Sequence, residues 1–178
     1  MERPAWLQRM ALELDLAGKD DAEEIADLRT AAAIDLTNRF GQGHWSMSVS
    51  AKGVLWHLRQ GDVLVARVDG VILGALALAR RKPWAIDASY FTAVRRPCHL
   101  TSMAVLPSRQ RQGVGRALMA AAEQRARERN FEAIRLDAYQ GEAGAGPFYG
   151  KCGYQVRGEV AYREAQLIYF EKLLAVET

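Results

Sequence analysis

Cysteine is scarce. Cys98 and Cys152 are the only two in 178 residues, far apart and without the spacing of a metal site. A disulfide scaffold is not expected, nor is a bound metal, and a reducing, cytoplasmic setting fits the thiols best. Long apolar runs are lacking as well. None approaches the roughly 20 residues that a membrane helix needs. Met1-Glu2-Arg3-Pro4-Ala5-Trp6 has no apolar stretch of the kind a signal peptide carries. A strong excess of one charge is also missing. The 24 basic and 21 acidic residues leave a net charge of +3, and the basic residues form no long run. No nucleic-acid and no membrane partner is expected. Repeats and low-complexity segments are absent. What is there is ordinary for a globular protein, with 49% hydrophobic and 25% charged residues. The length suits a single domain over residues 1–178, with its core between about 10 and 174.

Periodicity gives the order of elements. Met10 to Leu16 alternates apolar and polar residues, as a half-buried strand does. Asp20 or Asp21 can cap a helix with Glu23 and Glu24 in its first turn. Ile25, Leu28, Ala32 and Leu36 supply that helix with an apolar stripe, and it should end near Asn38. A second helix is expected over about Val49 to Leu58, and the loop before it carries Arg39, His44 and Trp45. Gly61 to Val68 and Val71 to Leu78 flank Asp69-Gly70, a two-residue hairpin signal. Arg81 to Pro97 is a long connection with Trp84, Tyr90 and Phe91. It reads either as a functional loop or as a short helix or edge strand whose aromatics fill the core.

The apolar run Leu100 to Pro107, the turn Arg109 to Arg116 and the helical run Ala117 to Arg129 lead into a strand, Ala133 to Tyr139. Strand, helix and strand with short links imply a parallel pair with a right-handed crossover. A short helix, Pro147 to Cys152, and two strands, Tyr154 to Val160 and Leu167 to Leu174, follow. The expected order is β-α-α-β-β-β-α-β-α-β-β, an α+β fold around one mixed sheet.

The turn Arg109-Gln110-Arg111-Gln112-Gly113-Val114-Gly115-Arg116 sits between a strand and a helix start. Free N–H groups and the helix dipole make such a place an anion site. Arg109, Arg111 and Arg116 add whole charges, so a phosphate-bearing ligand is expected. No lysine follows Gly115, which excludes a P-loop. Leu118 stands where a dinucleotide fingerprint needs its third glycine, and the antiparallel hairpin upstream argues against a doubly wound sheet.

Gln110 to Gly115 resembles the Gln/Arg-x-x-Gly-x-Gly/Ala turn of the GNAT family of N-acetyltransferases. Met103-Ala104-Val105 with Leu106-Pro107 looks like the strand end before that turn. Ala145-Gly146-Pro147-Phe148-Tyr149 through Gly153-Tyr154 is similar to a later segment of the family. The resemblance covers about Leu12 to Leu174. It implies a GNAT-like, mostly antiparallel mixed sheet of about seven strands flanked by helices. It also implies acetyl-CoA as co-substrate, with Gln110, Arg111, Gln112, Gly113, Val114, Gly115 and Arg116 around the pyrophosphate. Met103, Ala104 and Val105 would run along the pantetheine arm, and the Met103 N–H would polarise the thioester carbonyl. The implied reaction is direct attack by a primary amine of a small molecule or peptide. A non-catalytic acyl-CoA sensor or interaction module is the alternative. A homodimer is compatible with either.

Tyr149 matches the tyrosine that acts as general acid in the family. The glutamate that many members carry two residues before the Met103 position is Thr101 here, so the base is in doubt. Strand periodicity puts His99 on the face of Thr101 and makes it a candidate base; Asp87, Tyr90 and Glu13 are weaker ones. A covalent route through Cys98 or Cys152 is not expected. The acceptor should be set by the Arg39 to Ser50 loop and the Lys82 to Pro97 connection, with Trp45, Trp84, Tyr90 and Phe91 as candidate walls.

Overall fold

Asp69 and Gly70 both adopt positive φ, 49° and 80°. That is the geometry of a tight two-residue turn whose twist matches the strands beside it. It joins β2 (Gly61–Val68) to β3 (Val71–Ala79) in antiparallel register. The computed structural model describes residues 11–175, and builds the rest of the sheet around this hairpin. β1 (Glu13–Leu16) pairs with β2 on one side, and β4 (Pro97–Val105) pairs with β3 on the other. β5 (Ala133–Tyr139), β7 (Ala165–Leu173) and β6 (Gln155–Tyr162) complete one seven-stranded sheet in the order β1-β2-β3-β4-β5-β7-β6. Only β4 and β5 run parallel; every other neighbour is antiparallel. The helices α1 (Ala22–Phe40), α2 (Ala51–Gln60), α3 (Val114–Glu128) and α4 (Gly146–Lys151) fall between strands in the expected order.

The two faces of the sheet hold separate cores. α3 lays Val114, Leu118, Met119, Ala122 and Ala126 on one face, against Leu76, Leu100, Ile134 and Leu136. α1 and α2 cover the other face, where Ile25, Leu28 and Val54 meet Val63, Val65, Ile72 and Ala75. Ser50 caps α2, its side chain accepting from the Gly53 N–H at 3.3 Å. Boundaries differ from the sequence reading by a few residues. Residue 10, where the first strand was expected to begin, lies outside the described residues, and so do residues 176–178. β4 starts at Pro97 rather than Leu100 because Pro97, Cys98 and His99 pair with β5.

The long connection after β3 holds only a single turn of 3-10 helix, Ala88–Tyr90. It is fastened by a buried ionic network rather than by regular structure. The Glu171 side chain is fully buried and accepts from Arg135 Nε at 3.1 Å, Arg157 Nε at 2.8 Å and Thr92 Oγ1 at 2.7 Å. Arg135 also donates to the Thr92 carbonyl at 2.6 Å and lies over the Phe91 ring. Removing one partner from such a network strands a buried charge. Glu171→Gln should therefore lower unfolding stability by about 3 kcal/mol, measured by urea denaturation; a loss below about 1 kcal/mol would show that the network is idle.

Candidate functional site

β4 and β5 stay together for three residue pairs, Pro97–Ala133, Cys98–Ile134 and His99–Arg135. Beyond them β4 continues along β3 to Val105, and β5 continues along β7 to Tyr139. A bulge assists the parting. Ala75 faces Ala104 and Ala77 faces Thr101, so Ser102 and Met103 together oppose Leu76. Ser102 takes a positive φ of 55° and its hydroxyl lies 3.2 Å from His57 Nε2. The gap between the strands opens into a cavity of about 580 Å³, walled by α1, α2, the Trp45 loop, β4, β5 and α4.

The turn after β4 leads out of this cavity. Gln110 Nε2 donates to the Val105 carbonyl at 3.3 Å and ties the turn to the strand end. Arg111 and Gly113 adopt positive φ, 59° and 90°. The first amide of α3 to donate within the helix is Ala117, to the Gly113 carbonyl at 3.0 Å. The amides of Arg111 to Arg116 before it have no backbone carbonyl partner among the described residues. Such a run of free N–H groups at a helix start forms a nest for oxyanions. A Cβ at Gly113 would meet nothing within 4 Å, so the concave side is open. A Cβ at Gly115 would come within 3.3 Å of Met103 Cε and Phe148 Cζ. Gly115 is thus small for the sake of packing, while Gly113 supplies the backbone shape. Arg109, Arg111 and Arg116 make no ion pair among the described residues. This turn fits a pyrophosphate.

Tyr149 and Met103 meet inside the cavity, the phenol donating to the thioether sulfur at 3.9 Å. A thioether is a weak acceptor, so the hydroxyl is easily redirected. Burial, and then the Asp137 carboxylate, push the phenol well above its ordinary pKa, so it stays protonated. Asp137 lines the cavity from β5. Its neighbours Leu136 and Ala138 point into the α3-side core, so alternation turns Asp137 to the other face. Burial raises its carboxyl pKa. Arg29 of α1 and His57 of α2 line the opposite wall. His57 is pushed down to about 4 by burial and then by Arg29, so the ring is neutral at pH 7.

The other residues expected at the site fall elsewhere. His99 is 2% exposed and does not line the cavity. Burial, and then Arg135, push it down to about 4. It stands where β4 and β5 are still paired, one step before the gap opens. Trp45 lines the cavity and sets its edge against Tyr139, with ring centres 5.6 Å apart. Trp84, Tyr90 and Phe91 do not line it. Trp84 is 86% exposed. Phe91 stacks on Tyr169 at 5.3 Å, and Tyr90 meets the same ring edge-on at 5.4 Å. Phe91 and Tyr90 hold the connection onto β7, away from this cavity. Asp87 accepts from Ser89 as a turn cap, and Glu13 sits on exposed β1; neither lines the cavity. Burial pushes the Cys98 thiol up to about 12, which leaves it inert as a nucleophile.

Sequence reasoning missed Arg29, His57 and Asp137 as site residues. A signal existed for two of them. Arg29 interrupts the apolar stripe Ile25, Leu28, Ala32, and Asp137 stands between Leu136 and Ala138 on a strand. Both are charges where the pattern calls for burial. Among the described residues no three His, Cys, Asp or Glu stand together as metal ligands, and no helix is long and apolar enough to cross a membrane.

Comparison with known proteins agrees with this geometry. The model of the acetyltransferase (GNAT) family matches residues 29–154, from Arg29 through the turn to Tyr154. No curated protein matches the chain by sequence. Among solved structures the fold is shared with yncA of Salmonella typhimurium, solved with its cofactor acetyl-CoA. That pair is 19% identical over 94% of this chain and 96% of the other, with a TM-score of 0.70. It is shared with the ribosomal-protein-alanine N-acetyltransferase of Brucella melitensis, 20% identical over 91% and 99%, TM-score 0.68. It is shared also with the paia N-acetyltransferase of Thermoplasma acidophilum, solved with coenzyme A, 14% identical over 90% and 98%, TM-score 0.70. Since the family model spans most of the chain, this protein belongs to the acetyltransferase (GNAT) family.

Proposed function

We propose that the chain is a single acyltransferase domain that moves the acetyl group of acetyl-CoA to a primary amine by direct attack. The observation that carries this reading is the cavity between β4 and β5, with Tyr149 and Asp137 on its walls and the phosphate-type turn beyond its β4 edge. When bound, acetyl-CoA supplies an activated acyl thioester. The free amides of the turn, with Arg111 and Arg116 beside them, would hold its pyrophosphate. The backbone of Met103 to Val105 would hold the pantetheine arm, and the Met103 N–H would donate to the thioester carbonyl oxygen.

Asp137 fills the gap left by Thr101. An acceptor arrives at pH 7 as an ammonium and must lose a proton before it can attack. A carboxylate raised by burial is a stronger base than an exposed one. Asp137 Oδ takes that proton, and Tyr149 Oη gives one to the departing sulfur. The balance closes: the ammonium loses two protons in all, the first leaving through Asp137 and the second restoring to Tyr149 the one it gave to the coenzyme thiol. The raised phenol pKa makes the Tyr149 transfer more uphill than an exposed tyrosine would be, so close contact with the sulfur is essential.

A binding module without turnover has the same turn but needs neither proton group. Release of coenzyme A thiol in the presence of an amine panel separates the two. Tyr149→Phe should cut kcat by roughly 10²-fold while acetyl-CoA affinity is kept; an unchanged kcat would sink the acid assignment. For the wild type, kcat/KM should fall as pH drops through the raised Asp137 pKa, because the protonated carboxyl cannot accept. Asp137→Asn should be slower by a similar factor and lose that acid limb; a limb that persists assigns the base to another group. Gly113→Glu should abolish acetyl-CoA binding in calorimetry by placing a charge in the nest. Gly113→Ala, which shares the backbone strain without the charge, should still bind, and equal behaviour of the two would move the phosphate site elsewhere.

A further inference from the structure

Arg29 carries a charge that no described residue answers. It is 5% exposed, and its Nε and Nη2 have no hydrogen-bond partner among the described residues. The other arginine buried to this degree, Arg135, is satisfied by Glu171 and the Thr92 carbonyl. An unpaired buried guanidinium is costly, so a fold without a use for it would replace it with an apolar side chain. Arg29 lines the cavity, between the apolar wall of Ala32, Ala33 and Leu36 on one helix and His57 on the next. Arg29 is the one arginine among the cavity-lining residues, which include no lysine; the two histidines there are His44 and His57. Asp137 is the one carboxylate among those residues, and the two make no ion pair with each other. Opposite charges held apart in one cavity are the complement of a ligand that carries both.

We propose that Arg29 is the anion-holding residue of the acceptor pocket, and that the acceptor is a small amine that also bears a carboxylate, of amino-acid type with an apolar body. The guanidinium fork matches a carboxylate bidentately. One guanidinium with no second cation beside it suits a monoanion better than a phosphate dianion. The ammonium of the same molecule then lies toward Asp137. The inference rests on the amine reading above, but the anion pocket itself can be tested apart from it.

The probes are leucine, methionine and phenylalanine, each with its amide and its decarboxylated amine, and 4-methylpentanoate, which has the carboxylate without the amine. O-phosphoethanolamine serves as the dianionic comparison. Binding to the protein saturated with coenzyme A is measured by calorimetry, and turnover by thiol release with acetyl-CoA. The best carboxylate-bearing probe should bind at least about tenfold tighter than its amide and show a matching gain in kcat/KM through KM. Arg29→Met should erase that preference while leaving acetyl-CoA affinity unchanged, and should not lower the unfolding temperature, since it removes an unpaired buried charge. Arg29→Lys, which keeps charge without the fork, should retain part of the preference.

The proposal is overturned if no carboxylate probe is preferred over its amide in the wild type, if the preference survives Arg29→Met, or if the phosphate comparison binds best. If 4-methylpentanoate binds the wild type and not Arg29→Met, yet no amine is turned over, the anion pocket stands and the amine-transfer reading fails.

Discussion

Everything at the site depends on where β4 and β5 stop pairing. Two parallel strands that stayed hydrogen-bonded along their full length would leave no room between them and no free backbone groups. Here the pairing ends after His99–Arg135. β4 is drawn away by its antiparallel contact with β3, and β5 by its contact with β7. The bulge at Ser102–Met103 and the positive φ of Ser102 fix the direction of departure. Strain of this kind persists only when surrounding contacts hold it, and the His57 ring at 3.2 Å from the Ser102 hydroxyl is one such contact. The strand edge that results is available to a ligand rather than to a neighbouring strand. The same parting separates His99, which stays in the paired region and is buried, from Thr101 and Met103, which line the cavity.

The second organising principle is the contrast between answered and unanswered charge. Glu171, Arg135 and Arg157 satisfy one another and pin the long connection, a structural use of ions. Arg29 and Asp137 are held in the cavity walls without pairing, and burial shifts the pKa of each toward the neutral form while Arg29 stays charged at pH 7. Groups placed at such a cost and left facing a cavity are what binding and proton transfer require. Apolar walls strengthen them further, because the field of each charge is poorly screened there.

Much of this was legible in the chain. Asp69-Gly70 named the hairpin, and the run Arg109 to Arg116 with the segment around Phe148-Tyr149 carried the family resemblance. Each rests on local chemistry: two positive φ values, a helix start, a short helix opened by proline. What was not legible depends on contacts between distant elements. Nothing in the sequence says that pairing ends at His99, and alternation alone made His99 look like a site residue. The aromatics of Trp84 to Phe91 suggested a substrate wall, but Tyr90 and Phe91 pack on Tyr169, far away in the sequence, and Trp84 is exposed. Arg29 and Asp137 did stand out against their apolar neighbours, yet only the fold shows that both face one cavity.

The most direct measurement is a backbone-amide NMR titration of the isotope-labelled protein with coenzyme A. If the parted strands and the turn form the donor site, the resonances of Met103 to Val105 and of Gln112 to Arg116 should shift strongly and together, saturating at one ligand per chain. Resonances of the Trp84 to Phe91 connection should move little. Large shifts confined to residues outside β4 and the turn, with Met103 and Gly113 unmoved, would contradict the site described here.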